Sequence, residues 1–335
     1  MIGISYQQPT PKYDAYIQKI QSRTAEDLNR FMKGRDATDR TECVRFINKY
    51  LTGNGFIQMM ETPAADLWTL IADVERNFQE LQDCRIDKNL RNASSLYQFL
   101  KYLFVEHGYK NGFIENKNPY SLPKDELIES VGIDVCPYCN RTFIYTTKTV
   151  QGNKVTQAEL DHFFSKERFP YLAIAKYNLV PSCSCCNRNG GKFTTDAYDA
   201  HLVNPYEITR PGDYLKFRLK VKNANVTSLE KLASGLSIKV MAKRPDMQKT
   251  IDSLNLEGLY QHHTDYAAEL YFKWKVKATH VYRGSVKGLL RKQGITLSDD
   301  DIKRIIVGNY VKEADFGKRP LAMMIHDLAT EMGLI

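Results

Sequence analysis

No run of 18 apolar residues occurs in this 335-residue chain, so no segment is apolar enough for a membrane-spanning helix. The opening residues, Met1-Ile2-Gly3-Ile4-Ser5-Tyr6-Gln7-Gln8-Pro9, lack the basic start and apolar stretch of a secretory signal. There is no internal repeat and no low-complexity tract, which argues against a solenoid or a biased linker. Walker A and kinase-type glycine loops are also missing, so any nucleotide-driven control has to come from another chain. These absences predict a cytoplasmic globular protein with no membrane association. At this length it is expected to bury a substantial core and to divide into two or three domains.

What the chain does have is an excess of positive charge, unevenly placed. Formal net charge is +8, which suits a polyanionic partner. Residues 1–130 hold 17 Lys and Arg against 18 Asp and Glu, whereas the remaining 205 residues hold 30 against 21. The excess therefore lies entirely in the second part of the chain. Its densest stretch runs from Tyr271 to Leu297, where Lys273, Lys275, Lys277, Arg283, Lys287, Arg291 and Lys292 meet no acid. Such a stretch is either a solvated helix face or a surface that touches phosphates without reading sequence.

Cysteines are few, but four of them are patterned. Cys136-Pro137-Tyr138-Cys139 and Cys183-Ser184-Cys185-Cys186 are two CxxC pairs, matching the four-thiolate tetrahedral preference of structural zinc. In a chain without a signal such pairs read as metal ligands rather than disulfides. The separation of the pairs exceeds that of an ordinary ribbon, so the clamp pins the two ends of an inserted unit. Cys43, Cys84 and Cys185 are expected to be buried core thiols, although Cys185 could compete with Cys183 as a ligand.

Inside the inserted unit lie the residues with catalytic chemistry. Asp161 is a hard oxygen ligand suited to a cation such as Mg2+. His162 follows it and is a candidate general base, since its ordinary pKa of about 6.5 lies near working pH. Asn187, directly after the second cysteine pair, could give the ion a second oxygen. His107, His201, His262, His263, His280 and His326 default to structural roles, with His201 set slightly apart because it follows this unit closely.

The cysteine pairs together with Asp161-His162, Asn178 and Asn187 resemble the HNH nuclease family, whose fold is the ββα-metal finger. In that family a strand ends in a metal ligand followed by the catalytic histidine. A middle asparagine braces the intervening loop, and a helix brings a last His or Asn to the metal. The resemblance implies that Asp161 and Asn187 hold a Mg2+ or Mn2+ ion, that His162 is the base and that Asn178 is the brace. Two departures stand out: the last position is Asn rather than His, and Lys192 lies five residues beyond Asn187 where the family often has a lysine three beyond. Arg188, Lys192, Lys273 and Lys277 are the candidate nucleic-acid contacts.

Pro170-Tyr171-Leu172-Ala173, Asn204-Pro205-Tyr206-Glu207 and Thr250-Ile251…Leu254-Asn255-Leu256 extend the likeness to one subset. They resemble the HNH nucleases of bacterial anti-phage defence operons, the Septu-type PtuB nucleases in particular. That resemblance implies a defence effector with an ATPase partner from the same operon. The core likeness covers roughly residues 130 to 210 and leaves the first 125 outside it.

Periodicity fills in the remaining layout, an α+β chain divided into 1–125, 126–210 and 211–335. The first part reads as helical, with stripes at Tyr13, Tyr16, Ile17 and Ile20, at Leu67, Leu70, Ile71, Val74, Phe78 and Leu81, and at Leu96, Phe99, Leu100, Leu103 and Phe104. Ser94-Ser95 are expected to cap the last stripe. A break is predicted at 119–123, then a short helix from Lys124. A hairpin follows from Phe143, with Gln151-Gly152-Asn153 at its tip. Residues 214–221 and 236–240 alternate as an antiparallel pair. One long helix is predicted from Tyr266 to Arg291, with Ala267, Leu270, Tyr271, Trp274, Ala278, Val281 and Leu289 as its apolar face. Ser298 is a predicted N-cap, so the acids 299–301 belong to a first turn and not to a metal site.

The expected chemistry is hydrolysis of a phosphodiester, in DNA before RNA. His162 takes a proton from the attacking water. The ion on Asp161 and Asn187 binds a non-bridging oxygen and the leaving 3′ oxygen. By resemblance the products carry 5′-phosphate and 3′-hydroxyl ends. Zinc is expected to be structural only, because four thiolates leave no open position. A stand-alone restriction-type nuclease and a catalytically silent, zinc-dependent nucleic-acid-binding module are the alternatives.

Overall fold

A computed structural model describes residues 1–114, 124–188, 195–224, 227–276 and 280–335, without the side chains of 37–38, 112–114 and 280–283. The chain is α+β, with helices dominant and, among the described residues, three small antiparallel sheets. The break expected at 119–123 lies outside the described residues.

In the first third, apolar stripes become helices because each gains cover. The helix Pro11–Phe31 starts with a proline in its first turn, where the missing N–H costs nothing. It buries Tyr13, Tyr16, Ile17 and Ile20. The second stripe is divided: Leu67–Asn77 ends where Phe78 leaves helical geometry at φ −136°, and Gln79–Ile86 follows. Phe78 still points inward and is 1% exposed, so the kink costs the stripe no burial. Ser94 caps Ser95–Leu100 by accepting from the Tyr97 N–H at 3.0 Å. That helix runs on as a wider, π-type helix, Lys101–Ile114, which carries Tyr109.

These helices are bonded into the middle of the chain. Tyr13 donates to the Ile174 carbonyl at 2.8 Å, Tyr97 to the Glu167 carbonyl at 2.8 Å, and Trp68 meets the Phe164 ring edge-on at 5.0 Å. One continuous apolar core runs from Met1 to Leu334.

In the middle of the chain, β1 (Thr146–Lys148) and β2 (Lys154–Thr156) form the hairpin, with Gly152 at its tip in the left-handed region, φ +83°. β3 (Glu159–His162) pairs antiparallel with β4 (Leu179–Ser182). β5 (Leu215–Val221) and β6 (Leu236–Ala242) form the third pair, matching the alternation in the sequence. The C-terminal helix Ala322–Glu331 joins β5, where Asp327 Oδ2 accepts the Phe217 N–H at 2.9 Å. Ser298 caps Asp299–Val307 in a reciprocal capping box with Asp301, so the three acids lie in a first turn as expected.

The single helix expected from Tyr266 to Arg291 is corrected. One helix ends at Lys275 and another runs His280–Lys292. Ala267, Leu270 and Tyr271 are buried, but Trp274 is 38% exposed, Val276 57% and Leu289 66%. A helix in water needs tertiary cover for its apolar side; past Tyr271, Phe272, Trp274, Val276 and Leu289 are all exposed, while Val286 still packs against the core. Ala278 lies outside the described residues, as does the side chain of Val281.

Candidate metal centre and adjoining cleft

Cys136, Cys139, Cys183 and Cys186 come together as a buried group, their sulfurs all within 4.8 Å of one another. A zinc ion with Zn–S bonds of about 2.3 Å needs sulfurs about 3.8 Å apart at the corners of its tetrahedron. Cys139 Sγ and Cys183 Sγ stand 4.0 Å apart, so the group fits that ion. Cys185 is exposed. In the one-turn helix Ser184–Asn187, Cys183 at its cap and Cys186 share a face that Cys185 turns away from. That settles the competition with Cys183 and corrects the expectation of a buried Cys185, whereas Cys43 and Cys84 are buried as expected. Burial pushes the Cys136 thiol well up, and hydrogen bonds from Cys136, Cys139 and Cys186 hold Cys183 far below the thiol range. Closely shared protons of this kind are what a dication displaces on binding.

Asn140 locks the first knuckle to the C-terminal helix. It takes φ +50° and is wholly buried. Its Nδ2 donates to the Phe316 carbonyl at 2.8 Å, and its Oδ1 accepts from the Met323 N–H at 3.2 Å.

The clamp reaches the neighbouring strand through Tyr138, which lies between the first two cysteines. Its hydroxyl donates to Asp161 Oδ2 at 2.6 Å. Burial, reinforced by the Asp161 charge, pushes the Tyr138 phenol well up and keeps it a donor. Asp161 is 7% exposed, on β3 opposite Val180 of β4.

His162 ends β3, and its Nε2 lies 2.9 Å from the Ala173 carbonyl. A carbonyl only accepts, so the proton belongs on Nε2 and the lone pair of the neutral ring on Nδ1. The loop carrying Ala173 is held by Asn178, which is wholly buried. Asn178 Oδ1 accepts from Phe164 N–H at 2.7 Å, while its Nδ2 donates to the carbonyls of Phe164 (3.1 Å) and Leu172 (2.9 Å). Asn178 thus fixes the residue next to the one that sets the imidazole. Tyr109, from the first third of the chain, meets the His162 ring edge-on at 4.3 Å and donates to the Leu160 carbonyl at 3.4 Å. Burial, helped by the charges of Asp161 and Glu159, pushes its phenol up to about 12.

Asn187, at the end of the one-turn helix, donates from Nδ2 to Glu159 Oε2 at 2.7 Å. Arg188 pairs with Glu159 Oε1 at 2.6 Å. Asp161, His162, Asn187 and Arg188 line one cleft of about 790 Å3, with Tyr109, Lys110 and Lys166 also on its walls. Oxygen donors from a carboxylate and an amide suit Mg2+ or Mn2+, so these residues fit such an ion. Lys273 is half-buried and not among the residues lining this cleft. Lys192 and Lys277 lie outside the described residues.

Sequence reasoning missed Tyr138, Asn140, Glu159 and Tyr109. Glu159 had a signal: a strand's period of two puts it on the face of Asp161. Tyr138 had a weaker one, its place inside the first cysteine pair. Nothing in the sequence near Tyr109 ties it to His162.

Comparison with known proteins gives two partial likenesses. Over 58 residues, 17% of this chain and 21% of the relative, it is 36% identical to Septu protein PtuB of Bacillus thuringiensis. Over 105 residues, 30% of each chain, it is 28% identical to Protein ea31 of Escherichia phage lambda. The matches therefore span under a third of either relative. No family model and no solved structure matches. Among the described residues no helix is long and apolar enough to cross a membrane.

Proposed function

We propose that this protein is a metal-dependent, HNH-type endonuclease that hydrolyses phosphodiester bonds, DNA foremost, and serves as an effector of anti-phage defence. One observation carries the catalytic half: a histidine whose Nε2 is committed to a backbone carbonyl, beside a carboxylate and an amide in one cleft, next to a four-thiol clamp. The likeness to PtuB supports the defence half, with an ATPase from the same operon as the partner. Because a phage protein shares similar sequence, the chemistry and its biological setting need separate tests.

In this reading Cys136, Cys139, Cys183 and Cys186 hold a structural zinc. Asp161 and Asn187 hold a Mg2+ or Mn2+ ion, which when bound supplies positive charge to the phosphate and its leaving oxygen. His162 accepts the proton of an attacking water on Nδ1, while the Ala173 carbonyl and the Tyr109 ring keep the imidazole in the orientation that proton transfer needs. Tyr138 holds the Oδ2 of Asp161 from behind.

The direct test is incubation of purified protein with supercoiled plasmid, with single-stranded DNA and with RNA, with and without Mg2+. Cleavage that needs Mg2+ and His162 is the expected result. Tight nucleic-acid binding without cleavage in every condition would support the silent-module alternative. Co-purification of an ATPase from the native operon tests the partner; its absence from an active nuclease would favour the stand-alone alternative.

A further inference from the structure

Glu159 is a carboxylate at the strand–helix junction that the catalytic reading does not use, and both its oxygens are engaged. Oε2 accepts from Asn187 Nδ2 at 2.7 Å, and Oε1 pairs with Arg188 at 2.6 Å. An asparagine amide can present either its oxygen or its nitrogen, and only the oxygen can ligate a hard cation. A carboxylate only accepts, so it selects the flip in which Asn187 turns its nitrogen to Glu159 and keeps Oδ1 for the cleft. The frame around this contact is rigid. Glu159 lies opposite Ser182 in the β3–β4 pairing, and Ser182 precedes the clamp residue Cys183. Asn187 closes the same one-turn helix with its N–H bonded to the Cys183 carbonyl at 3.0 Å.

We propose that Glu159 is a positioning residue that fixes the amide of Asn187 with its oxygen toward the catalytic ion, acting through Asn187 and not as a ligand itself. The proposal rests on the nuclease reading for the identity of that ion. Outer-shell partners of this type change metal affinity by about 10–100-fold.

The test titrates Mn2+ into zinc-loaded, full-length protein and follows free Mn2+ by electron paramagnetic resonance, with zinc content and melting temperature measured in parallel. E159A is expected to weaken Mn2+ binding by about 10–100-fold with zinc and melting unchanged. N187A is expected to weaken it comparably, and E159A/N187A no further than N187A alone. Should E159A lose its zinc, Glu159→Met, which keeps the volume without an acceptor, carries the same expectation. Wild-type Mn2+ affinity in these Glu159 variants would overturn the proposal. So would additive loss in the double variant, because Glu159 would then touch the ion itself. Asp161→Ala separates the levels: if wild-type protein has no Asp161-dependent Mn2+ site, the nuclease reading fails and this role with it. If that site persists unweakened in E159A, only the role of Glu159 fails.

Discussion

The two candidate ligand sets are joined by Tyr138 and differ in almost every other physical respect. The thiol set is soft, buried and closed, with four sulfurs within 4.8 Å of one another. The Asp161 and Asn187 pair offers hard oxygens and lines a cleft of about 790 Å3. Closure uses every coordination position and yields only folding free energy; openness leaves positions for water and substrate. The pattern of hydrogen bonds has the same direction. The clamp's backbone is tied inward, to Tyr260 through the Cys139 carbonyl at 2.7 Å and to the C-terminal helix through Asn140. The cleft residues are held from behind: Asp161 by Tyr138, His162 by Ala173 and the Tyr109 ring, Asn187 by Glu159. On the proposed reading, the closed set fixes the strand and the helix that carry the open one.

Substitutions that break the closed set should have the largest effect. Cys136→Ser or Cys186→Ser is expected to abolish stoichiometric zinc and give insoluble or protease-sensitive protein, because zinc ligation is folding free energy. Metal analysis and limited proteolysis check this; stable, zinc-free, active protein from either variant would remove the clamp from the account. Removing residues 1–110 strips Tyr13, Trp68 and Tyr97 from the loop between β3 and β4, and Tyr109 from β3. Aggregation is expected even with zinc supplied, and a soluble, zinc-loaded remainder would instead establish that residues 111–335 fold without the first third.

A smaller effect separates loop from clamp. Asn178→Ala leaves the Phe164 N–H and the carbonyls of Phe164 and Leu172 without their partner in a buried place. A loss of roughly 3 kcal/mol or more in denaturant unfolding is expected, with zinc retained. Tyr109→Phe keeps the ring against His162 and gives up the long bond at 3.4 Å, so stability should change by less than about 1 kcal/mol. Tyr109→Ala should cost clearly more and slow cleavage as well. Smallest of all, Cys185→Ser should leave zinc content unchanged and stability within about 0.5 kcal/mol, since that thiol is exposed and outside the cluster.

Features with a local signature were legible from the sequence. Paired cysteines, the Gly152 turn between alternating arms and Ser298 before three acids each carry their geometry in a few adjacent residues. The adjacency of Asp161 and His162, and of Asn187 to Cys186, brought the cleft residues to notice for the same reason. What escaped is non-local or depends on cover. Tyr109 meets His162 only because a helix from the first third packs over β3. The helix ending at Lys275 looked continuous because its apolar pattern runs on, yet Trp274, Val276 and Leu289 find little to pack against. Cys185 could not be told from Cys183 by counting, because the choice depends on which face of a one-turn helix looks inward.

The central claim is that the open set performs phosphodiester hydrolysis with His162 as base. Single-turnover cleavage of DNA by wild-type protein, H162A, D161A and N187A across a Mg2+ and Mn2+ series tests it most directly. The account predicts cleavage that requires the ion, a loss of about 10²–10⁴-fold in H162A that added metal does not restore, and partial rescue of D161A and N187A by added metal. Cleavage by H162A at the wild-type rate in the presence of metal would contradict it.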